Sequence, residues 1–186
     1  GSQAVWVVDP IDGTRAFIEK KPQFAISVAL LVDCVPTLGV VYNPVTEECF
    51  EAARGYGARL NGKKLQVSRH QKIVGAKLLS SRRAFRDCNW SEAAEGASFS
   101  FISSMAYRMA LVAAGKFDAT ITLSTKSDWD IAAGDLIVRE AGGLVTQVNG
   151  TPLVYGQDSL SHPHIVAAGP HLHKTLIKGL GQMPEK

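Results

Sequence analysis

The feature that most constrains this chain is an apolar run that leads directly into two closely spaced aspartates. Residues 5–8 (Val-Trp-Val-Val) are typical of a buried strand, Asp9 follows them, and Asp12 comes three positions later, before a Gly-Thr pair. Residues 16–18 (Ala-Phe-Ile) then predict a short helix. We therefore expect a buried strand, a polar turn and a helix start around the two carboxylates.

This polar turn carries the oxygen donors that Mg²⁺ prefers. Mg²⁺ takes hard oxygen ligands in near-octahedral geometry and keeps several waters, so one or two carboxylates, a backbone carbonyl and a substrate phosphate complete its shell. Asp9 and Asp12 can supply the carboxylates and Ile11 the carbonyl, while Pro10 stiffens the turn. The pattern predicts a metal site formed by Asp9, Ile11 and Asp12.

The two residues after Asp12 predict a phosphate-binding position. Gly13 has no Cβ to obstruct an approaching anion, and the N–H groups of Gly13 and Thr14 would be free at the start of a helix. The alternative needs no ion: Asp12 caps the helix and Asp9 ends a strand, because such pairs are common in turns.

Two motifs resemble the signatures of one enzyme family. Residues 9–14 (D-P-I-D-G-T) resemble the D-P-[IL]-D-G-[ST] signature of the inositol monophosphatase superfamily, whose members are Mg²⁺-dependent and often lithium-sensitive phosphatases. Residues 129–134 (W-D-I-A-A-G) resemble that family's W-D-x-A-A-G signature, in the family's order and separation. The resemblance therefore implies a phosphoric monoester hydrolase.

The second motif adds a third carboxylate. Asp130 lies at the start of a predicted helix that runs to Glu140, so its side chain would sit at the positive end of the helix dipole and could reach the same ions as Asp9 and Asp12. A capping role alone is one alternative, and Asp128 as the ligand is another. The resemblance implies the following catalytic residues: Asp9, Asp12, Thr14 and Asp130.

The resemblance also implies how these residues divide the work. Two or three Mg²⁺ ions would be bound, with Asp9 bridging two of them, Ile11 giving its carbonyl to one, and Asp12 and Asp130 completing the other. The Thr14 hydroxyl would orient the attacking water with a glutamate from a G-E-E motif that precedes D-P-I-D-G-T in the family. This sequence carries no such segment. We expect negligible turnover, as for a non-catalytic phosphate-binding fragment, if the chain begins at Gly1.

The fold class implied by the resemblance is α/β, a layered α-β-α-β-α sandwich of the inositol monophosphatase type with its N-terminal part missing. Residues 1–72 would be the remainder of an N-terminal α+β lobe, and residues 73–186 a C-terminal α/β lobe. Within this frame, β-rich runs separated by turn signals predict antiparallel strands between residues 24 and 64. Helical spacing predicts helices at 103–116 and from 171 to 180.

Several residues are candidates for binding the substrate. Ser104 and Ala106 occupy a segment that resembles the family's G-[ST]-x-A pocket lining. Three arginines at 82, 83 and 86 are either a solvated basic turn or a cradle for a second anionic group, and we count Arg82 and Arg83 as substrate-binding candidates.

Substrate identity depends on one more basic residue. Inositol-hydrolysing members place a carboxylate before W-D, whereas residues 119–127 contain no acid and include Lys126. An unpaired lysine favours a nearby anion, so the prediction leans to a 3′(2′),5′-bisphosphate nucleotide. The alternatives are inositol 1-phosphate, histidinol phosphate and fructose 1,6-bisphosphate.

Composition excludes some other classes of protein. The net charge of +3 is slight, and no stripe of basic and aromatic residues is present, so a nucleic-acid polymer is not an expected partner. No apolar run approaches about 20 residues, so no membrane span is expected. Three cysteines without paired spacing predict reduced thiols and a cytoplasmic location. The expected partner is a small phosphorylated metabolite, with homodimerisation usual in the family.

Four histidines are predicted to be solvated, not metal ligands: His162, His164, His171 and His173.

Overall fold

Six antiparallel strands, neighbours in the order of the chain, form the first sheet of the computed structural model, which describes residues 3–81 and 96–180. The predicted antiparallel sheet is confirmed. The six strands are β1 (Ala4–Asp12), β2 (Ala25–Val32), β3 (Val35–Asn43), β4 (Glu48–Ala53), β5 (Ala58–Leu60) and β6 (Lys63–Lys64). Helix α1 (Thr14–Ile18) follows β1 directly, as the motif predicts.

The hairpin between β2 and β3 is tighter than the sequence indicates. Its turn consists of Asp33 and Cys34 alone, with φ values of 50° and 64°, as in a type I′ turn. Residues 33–36 (Asp-Cys-Val-Pro) predict a longer turn, but Pro36 lies in β3 opposite Leu31, next to an irregularity in the pairing.

The second sheet contains five strands in the order β11-β13-β9-β7-β8. The strand β7 pairs in parallel with β8 and β9, and β13 pairs antiparallel with β9 and β11. The five strands are β7 (Lys77–Leu79), β8 (Ser98–Ser100), β9 (Ala119–Thr122), β11 (Leu144–Gln147) and β13 (Ile165–Ala168). A separate two-stranded ladder joins β10 (Lys126–Ser127) to β12 (Ser161–His162).

Three longer helices complete the layers: α2 (Met105–Ala113), α3 (Asp128–Glu140) and α4 (Pro170–Leu180). Helix α3 packs on β1 to β4 and against α2, α2 also contacts β9 and β13, and α4 packs on β13. The described layers are therefore sheet, helix pair, sheet and helix, which confirms the predicted layered α/β class.

Small residues allow α3 to approach its neighbours closely. A Cβ on Gly39 of β3 would lie 3.0 Å from the Ala133 carbonyl oxygen of α3. A Cβ on Gly134 would lie 2.8 Å from Cβ of Met109 in α2. The Ala-Ala-Gly part of the second motif therefore sets how deeply α3 is buried between the first sheet and α2, and so where its first turn lies.

The strand β1 is not buried as expected. Val5, Trp6 and Val8 are 43%, 61% and 50% exposed. The strand lies at the edge of the sheet, and only Val7 packs against the core below it, so the alternating side chains of Trp6 and Val8 lie on the opposite face. An apolar run alone does not reveal which face of a strand is covered.

Two further expectations concern the ends of the described region. The apolar run of residues 73–80 predicts a strand, but the strand is limited to β7, because the chain turns at Gly75 with a φ of 83°. Arg82, Arg83 and Arg86 lie outside the described residues. No helix in residues 3–81 or 96–180 combines the length and apolar character needed to cross a membrane.

Candidate metal centre

Three carboxylates converge at the end of β1 and the start of α3. Asp9, Asp12 and Asp130 each offer an oxygen, and these oxygens lie within 4.8 Å of one another. Asp12 is buried, at 5% exposure, and the other two are half-buried. The chain thus brings together residues that are more than one hundred positions apart in sequence.

An irregularity in β1 places Asp9 and Asp12 side by side. Asp9 pairs with Ser27 of β2 and Asp12 pairs with Ala25, so three residue steps on β1 match two on β2. In a regular strand, residues three positions apart point to opposite faces. The extra residue corresponds to a β-bulge and lets both carboxylates share one face. The Asp9 carboxylate also accepts a 2.9 Å hydrogen bond from the Ile11 N–H, which orders the turn.

The carboxylate of Asp12 is held by α2, not by α1. Its Oδ2 accepts hydrogen bonds from the Ser104 hydroxyl and from the Ala106 N–H, each 2.6 Å long. The Ser104 hydroxyl in turn accepts from the Tyr107 N–H at 3.0 Å and caps α2. The N-cap of α1 is Gly13, with a φ of 88°. The idea that Asp12 caps the helix after it is therefore wrong, since this carboxylate lies at the N-terminus of a different helix.

Asp130 serves as a cap and also belongs to the cluster. Its Oδ2 accepts a 2.8 Å hydrogen bond from the Ser127 N–H, in the capping box at the start of α3. This bond fixes the side chain and leaves Oδ1 without a donor among the described residues. The capping interpretation and the cluster interpretation are thus compatible, because the capping bond occupies only one of the two carboxylate oxygens.

Burial and mutual repulsion make Asp9 and Asp12 reluctant to ionise without a counter-charge. Desolvation raises the pKa of Asp12 to about 6, and the nearby Asp130 and Asp9 charges add to this effect. Desolvation also raises the pKa of Asp9, again with a contribution from Asp130. Three crowded oxygen donors, two of which have raised pKa values, fit a small, hard divalent cation such as Mg²⁺, which would neutralise them.

The remaining residues of the first motif support the turn. The Thr14 hydroxyl donates a 3.0 Å hydrogen bond to the Ile11 carbonyl, whose second lone pair is still able to accept. Glycine at position 13 is needed for a reason the sequence did not reveal. A Cβ there would lie 2.9 Å from the Ser104 nitrogen, and the φ of 88° is strained for other residues. Gly13 therefore lets the turn pack against the start of α2.

The predicted substrate-binding residues lie in different environments, some buried against Asp12 and one in the wall of a cavity. Ser104 and Ala106 are fully buried, and their polar groups are directed to Asp12. Lys126 is half-buried and lines a cavity together with Ser103 and Arg108. Arg82 and Arg83 are outside the described residues.

Asp128, the alternative ligand, is engaged elsewhere. It is buried, and its carboxylate accepts a 2.9 Å hydrogen bond from the Gly156 N–H and contacts the His162 ring at 2.5 Å. His162 and His173 are only 3% and 2% exposed, so the prediction that they are solvated is wrong, whereas His164 and His171 are exposed. The signal for a buried His162 lay in its pairing with a strand next to Asp128, which sequence spacing does not show.

Comparison with known proteins points to one family. The family model described as "Inositol monophosphatase family" matches residues 1–185. The chain is 36% identical over 192 residues to a protein of Pasteurella multocida named Nus factor SuhB, covering 95% of this chain and 67% of that protein. It is 34% identical over 189 residues to inositol monophosphatase 3 of Solanum lycopersicum, covering 97% and 69%.

Solved structures give the same result. A staphylococcal enzyme named SaIMPase-II superposes with a TM-score of 0.84 at 26% identity in a structure with bound inositol monophosphate, covering 94% of this chain and 68% of that one. In a structure with bound 2′AMP the TM-score is 0.85 at 27% identity, covering 96% and 69%. This chain spans about two thirds of the length of these relatives.

Proposed function

Because this chain belongs to the inositol monophosphatase family, a family of phosphoric monoester hydrolases, we propose that it hydrolyses the phosphate monoester of a small metabolite with the help of Mg²⁺. The observation that carries this proposal is the convergence of Asp9, Asp12 and Asp130 within 4.8 Å. Three carboxylates so close together, two of them with raised pKa values, need a cation to share.

The proposed ligand set is the one that the motifs predict. Asp9 would bridge two ions, the Ile11 carbonyl would bind one of them, and Asp12 and Asp130 would bind the other, for two or three ions in total. Bound Mg²⁺ would supply an activated water and neutralise charge on the phosphate. Ser104 and Ala106 fix Oδ2 of Asp12 and so aim its other oxygen at the centre.

Two residues of the turn are proposed to act on the substrate itself. The N–H groups of Gly13 and Thr14, at the start of α1, would bind oxygens of the phosphate that is hydrolysed. The Thr14 hydroxyl donates a hydrogen bond to the Ile11 carbonyl, which is the proposed metal ligand. It would therefore lie near the metal and help to orient an attacking water. Lithium sensitivity is part of the proposal, because it accompanies this metal chemistry in the family.

Two substrate classes have support from named relatives. Inositol monophosphate is bound in one SaIMPase-II structure and gives its name to the tomato relative, which favours an inositol phosphate. A nucleotide, 2′AMP, is bound in another structure of the same enzyme, which favours a nucleotide phosphate. Lys126 lies in a stretch without acids, residues 119–127, and this positive charge favours a nucleotide with an additional phosphate.

The direct test is phosphate release, with and without Mg²⁺, by the full-length protein, including any residues that precede Gly1. The substrates are inositol 1-phosphate, 2′AMP, adenosine 3′,5′-bisphosphate, histidinol phosphate and fructose 1,6-bisphosphate. We expect Mg²⁺-dependent release from at least one of them, inhibition by lithium, and loss of release in the Asp12→Asn variant. Binding of phosphate without any turnover would contradict the proposal and favour a non-catalytic phosphate-binding role. Gel filtration of the same preparation tests the predicted homodimer.

A further inference from the structure

A polar cavity adjoins the carboxylate cluster without taking part in holding it. Its volume is about 370 Å³. Ser103 lines this cavity and precedes Ser104, whose hydroxyl binds Asp12. Lys126 also lines it and precedes Ser127, whose N–H binds Asp130. The cavity therefore touches both elements that position the cluster. Its lining includes Ser80, Phe101, Ser103, Arg108, Ser124 and Lys126.

The cavity carries positive charge, and no described acid lines it or forms an ion pair with its cations. Arg108 is only 6% exposed and Lys126 is half-buried, and no Asp or Glu of the described residues lines the cavity. Neither cation forms an ion pair within residues 3–81 and 96–180. A buried cation without a partner is costly, so this arrangement favours an anionic ligand.

Arg108 is rigidly held and remains a cation. Its Nε donates a hydrogen bond to the Ile102 carbonyl, and its Cζ lies 4.5 Å from the centroid of the Phe101 ring. Burial lowers its pKa to about 10, and the negative charge of Asp12 opposes that shift. The guanidinium is thus protonated at neutral pH, and a preorganised guanidinium pairs well with phosphate.

A second, independent observation also indicates a ligand. Ser80 is 3% exposed and lines the cavity, yet its hydroxyl has no hydrogen-bond partner among the described residues. Buried hydroxyls are rarely left unpaired, because the unmade hydrogen bond costs free energy. A bound anion would accept from this hydroxyl.

We propose that this cavity is a second phosphate subsite, in which Arg108, Lys126 and the Ser80 hydroxyl bind a phosphate group other than the one that is hydrolysed. The substrate class is then a small bisphosphate whose scissile group lies at the carboxylate cluster. This inference rests on the proposed phosphatase function, because it assigns the remainder of the same substrate. The chemistry requires no further cofactor or covalent step.

The test compares two esters that differ only in the second phosphate, 2′AMP and adenosine 2′,5′-bisphosphate. We expect the wild-type protein to show a kcat/KM at least about tenfold higher for the bisphosphate, mainly through a lower KM. Lys126→Met should reduce this ratio by about tenfold, and Ser80→Ala, which removes one buried hydroxyl with little risk to folding, by severalfold. Lys63→Met, on the exposed strand β6, is the matched control and should leave the ratio unchanged.

A binding measurement separates this inference from the proposed function. Calorimetric titration in EDTA measures the affinity of both nucleotides without turnover. Tighter binding of the bisphosphate that is lost in Lys126→Met supports the subsite even if neither ester is hydrolysed. Equal affinities and equal kcat/KM values for the two nucleotides would overturn the proposal. It would also be overturned if Lys126→Met and Lys63→Met reduced the preference for the bisphosphate equally.

Discussion

Asp12 depends for its position on residues that lie 92 and 94 positions away along the chain. The Ser104 hydroxyl both donates to Asp12 and caps α2 through the Tyr107 N–H. Removing this one oxygen would therefore loosen the carboxylate and uncap the helix together. A buried serine at this position links the stability of α2 to the geometry of the carboxylate cluster.

We expect Ser104→Ala to lower the free energy of unfolding by about 2 kcal/mol, because a buried hydrogen bond to a charged group and a helix cap are lost. Mg²⁺ affinity should fall about tenfold, since Asp12 is less well oriented. Urea unfolding and Mg²⁺ titration measure the two effects. Ser98→Ala is the control, because among the described residues the Ser98 hydroxyl bonds only to the Ala76 carbonyl. Unchanged Mg²⁺ affinity in Ser104→Ala would contradict the role of Ser104.

A pair of variants separates the two uses of Asp130. Asp130→Asn keeps an oxygen that can accept from the Ser127 N–H, so folding stability should be retained or raised slightly because repulsion from Asp9 and Asp12 is relieved. Asp130→Ala also loses the cap and should cost about 1 kcal/mol. Both should lose at least about tenfold in Mg²⁺ affinity. Retained Mg²⁺ affinity in Asp130→Asn would show that Asp130 only caps α3.

Several contacts with the segment of residues 156–162 hold the first turn of α3 in place. The Asp128 N–H donates to the Leu160 carbonyl at 3.1 Å, and the Asp128 carboxylate binds His162 and the Gly156 N–H. The ladder of β10 and β12 adds a further connection. Because Asp130 lies in the same helical turn, these contacts help to place the third carboxylate of the centre.

We expect His162→Leu to lower the free energy of unfolding by about 2–3 kcal/mol, because the buried Asp128 carboxylate loses a hydrogen-bond partner. Mg²⁺ affinity should fall severalfold as the first turn of α3 loosens. His173→Leu is a suitable control, since that histidine is equally buried but lies in α4. If both variants changed Mg²⁺ affinity equally, the effect of His162 would be one of general stability.

Elements and motifs were predictable from this sequence to different degrees. The antiparallel strands between residues 24 and 64 and the helices α2 and α4 follow from local patterns and are found where the sequence indicates them. The bulge between Asp9 and Asp12 was not predictable, because it depends on pairing with β2. The hydrogen bond from Ser104 to Asp12 was also hidden, since no local pattern links residues that far apart.

Across the whole molecule, one buried histidine makes stability depend on pH. The Nδ1 of His173 has no partner among the described residues, and burial lowers the pKa of this residue to about 4. Below pH about 6.5 the unfolded chain binds a proton here that the folded chain does not accept until about pH 4. The free energy of unfolding should therefore fall as the pH decreases through this window.

The variant His173→Leu tests this linkage. Between pH 6.5 and pH 4, its free energy of unfolding should decrease less than that of the wild type. The two slopes should differ by roughly 1 kcal/mol per pH unit, which corresponds to slightly less than one bound proton. Urea unfolding at several pH values measures the difference. His171→Leu, on the exposed side of the same helix, is the matched control. Parallel pH profiles for the wild type and His173→Leu would contradict the prediction.

The outer face of the first sheet, which the described helices do not cover, exposes apolar residues of β1 that the sequence predicts to be buried. Trp6 and Val8 of β1 lie in register with Leu38 and Val40 of β3 across the intervening strand β2, and all four are at least 36% exposed. Sequence patterning identified these residues as apolar strand positions, but it could not determine which faces of the sheet the helices cover. The layered class was predictable because it follows from the family's motifs, whereas surface exposure depends on the complete packing.

The central claim is that Asp9, Asp12 and Asp130 bind shared divalent ions. Anomalous diffraction from crystals of this chain soaked in Mn²⁺, as a substitute for Mg²⁺, tests it most directly. The account predicts at least one peak at about 2.1 Å from oxygens of Asp12 and Asp130, and a second bridged by Asp9. A peak that excludes Asp130, or no peak among the three carboxylates at saturating Mn²⁺, would contradict the claim.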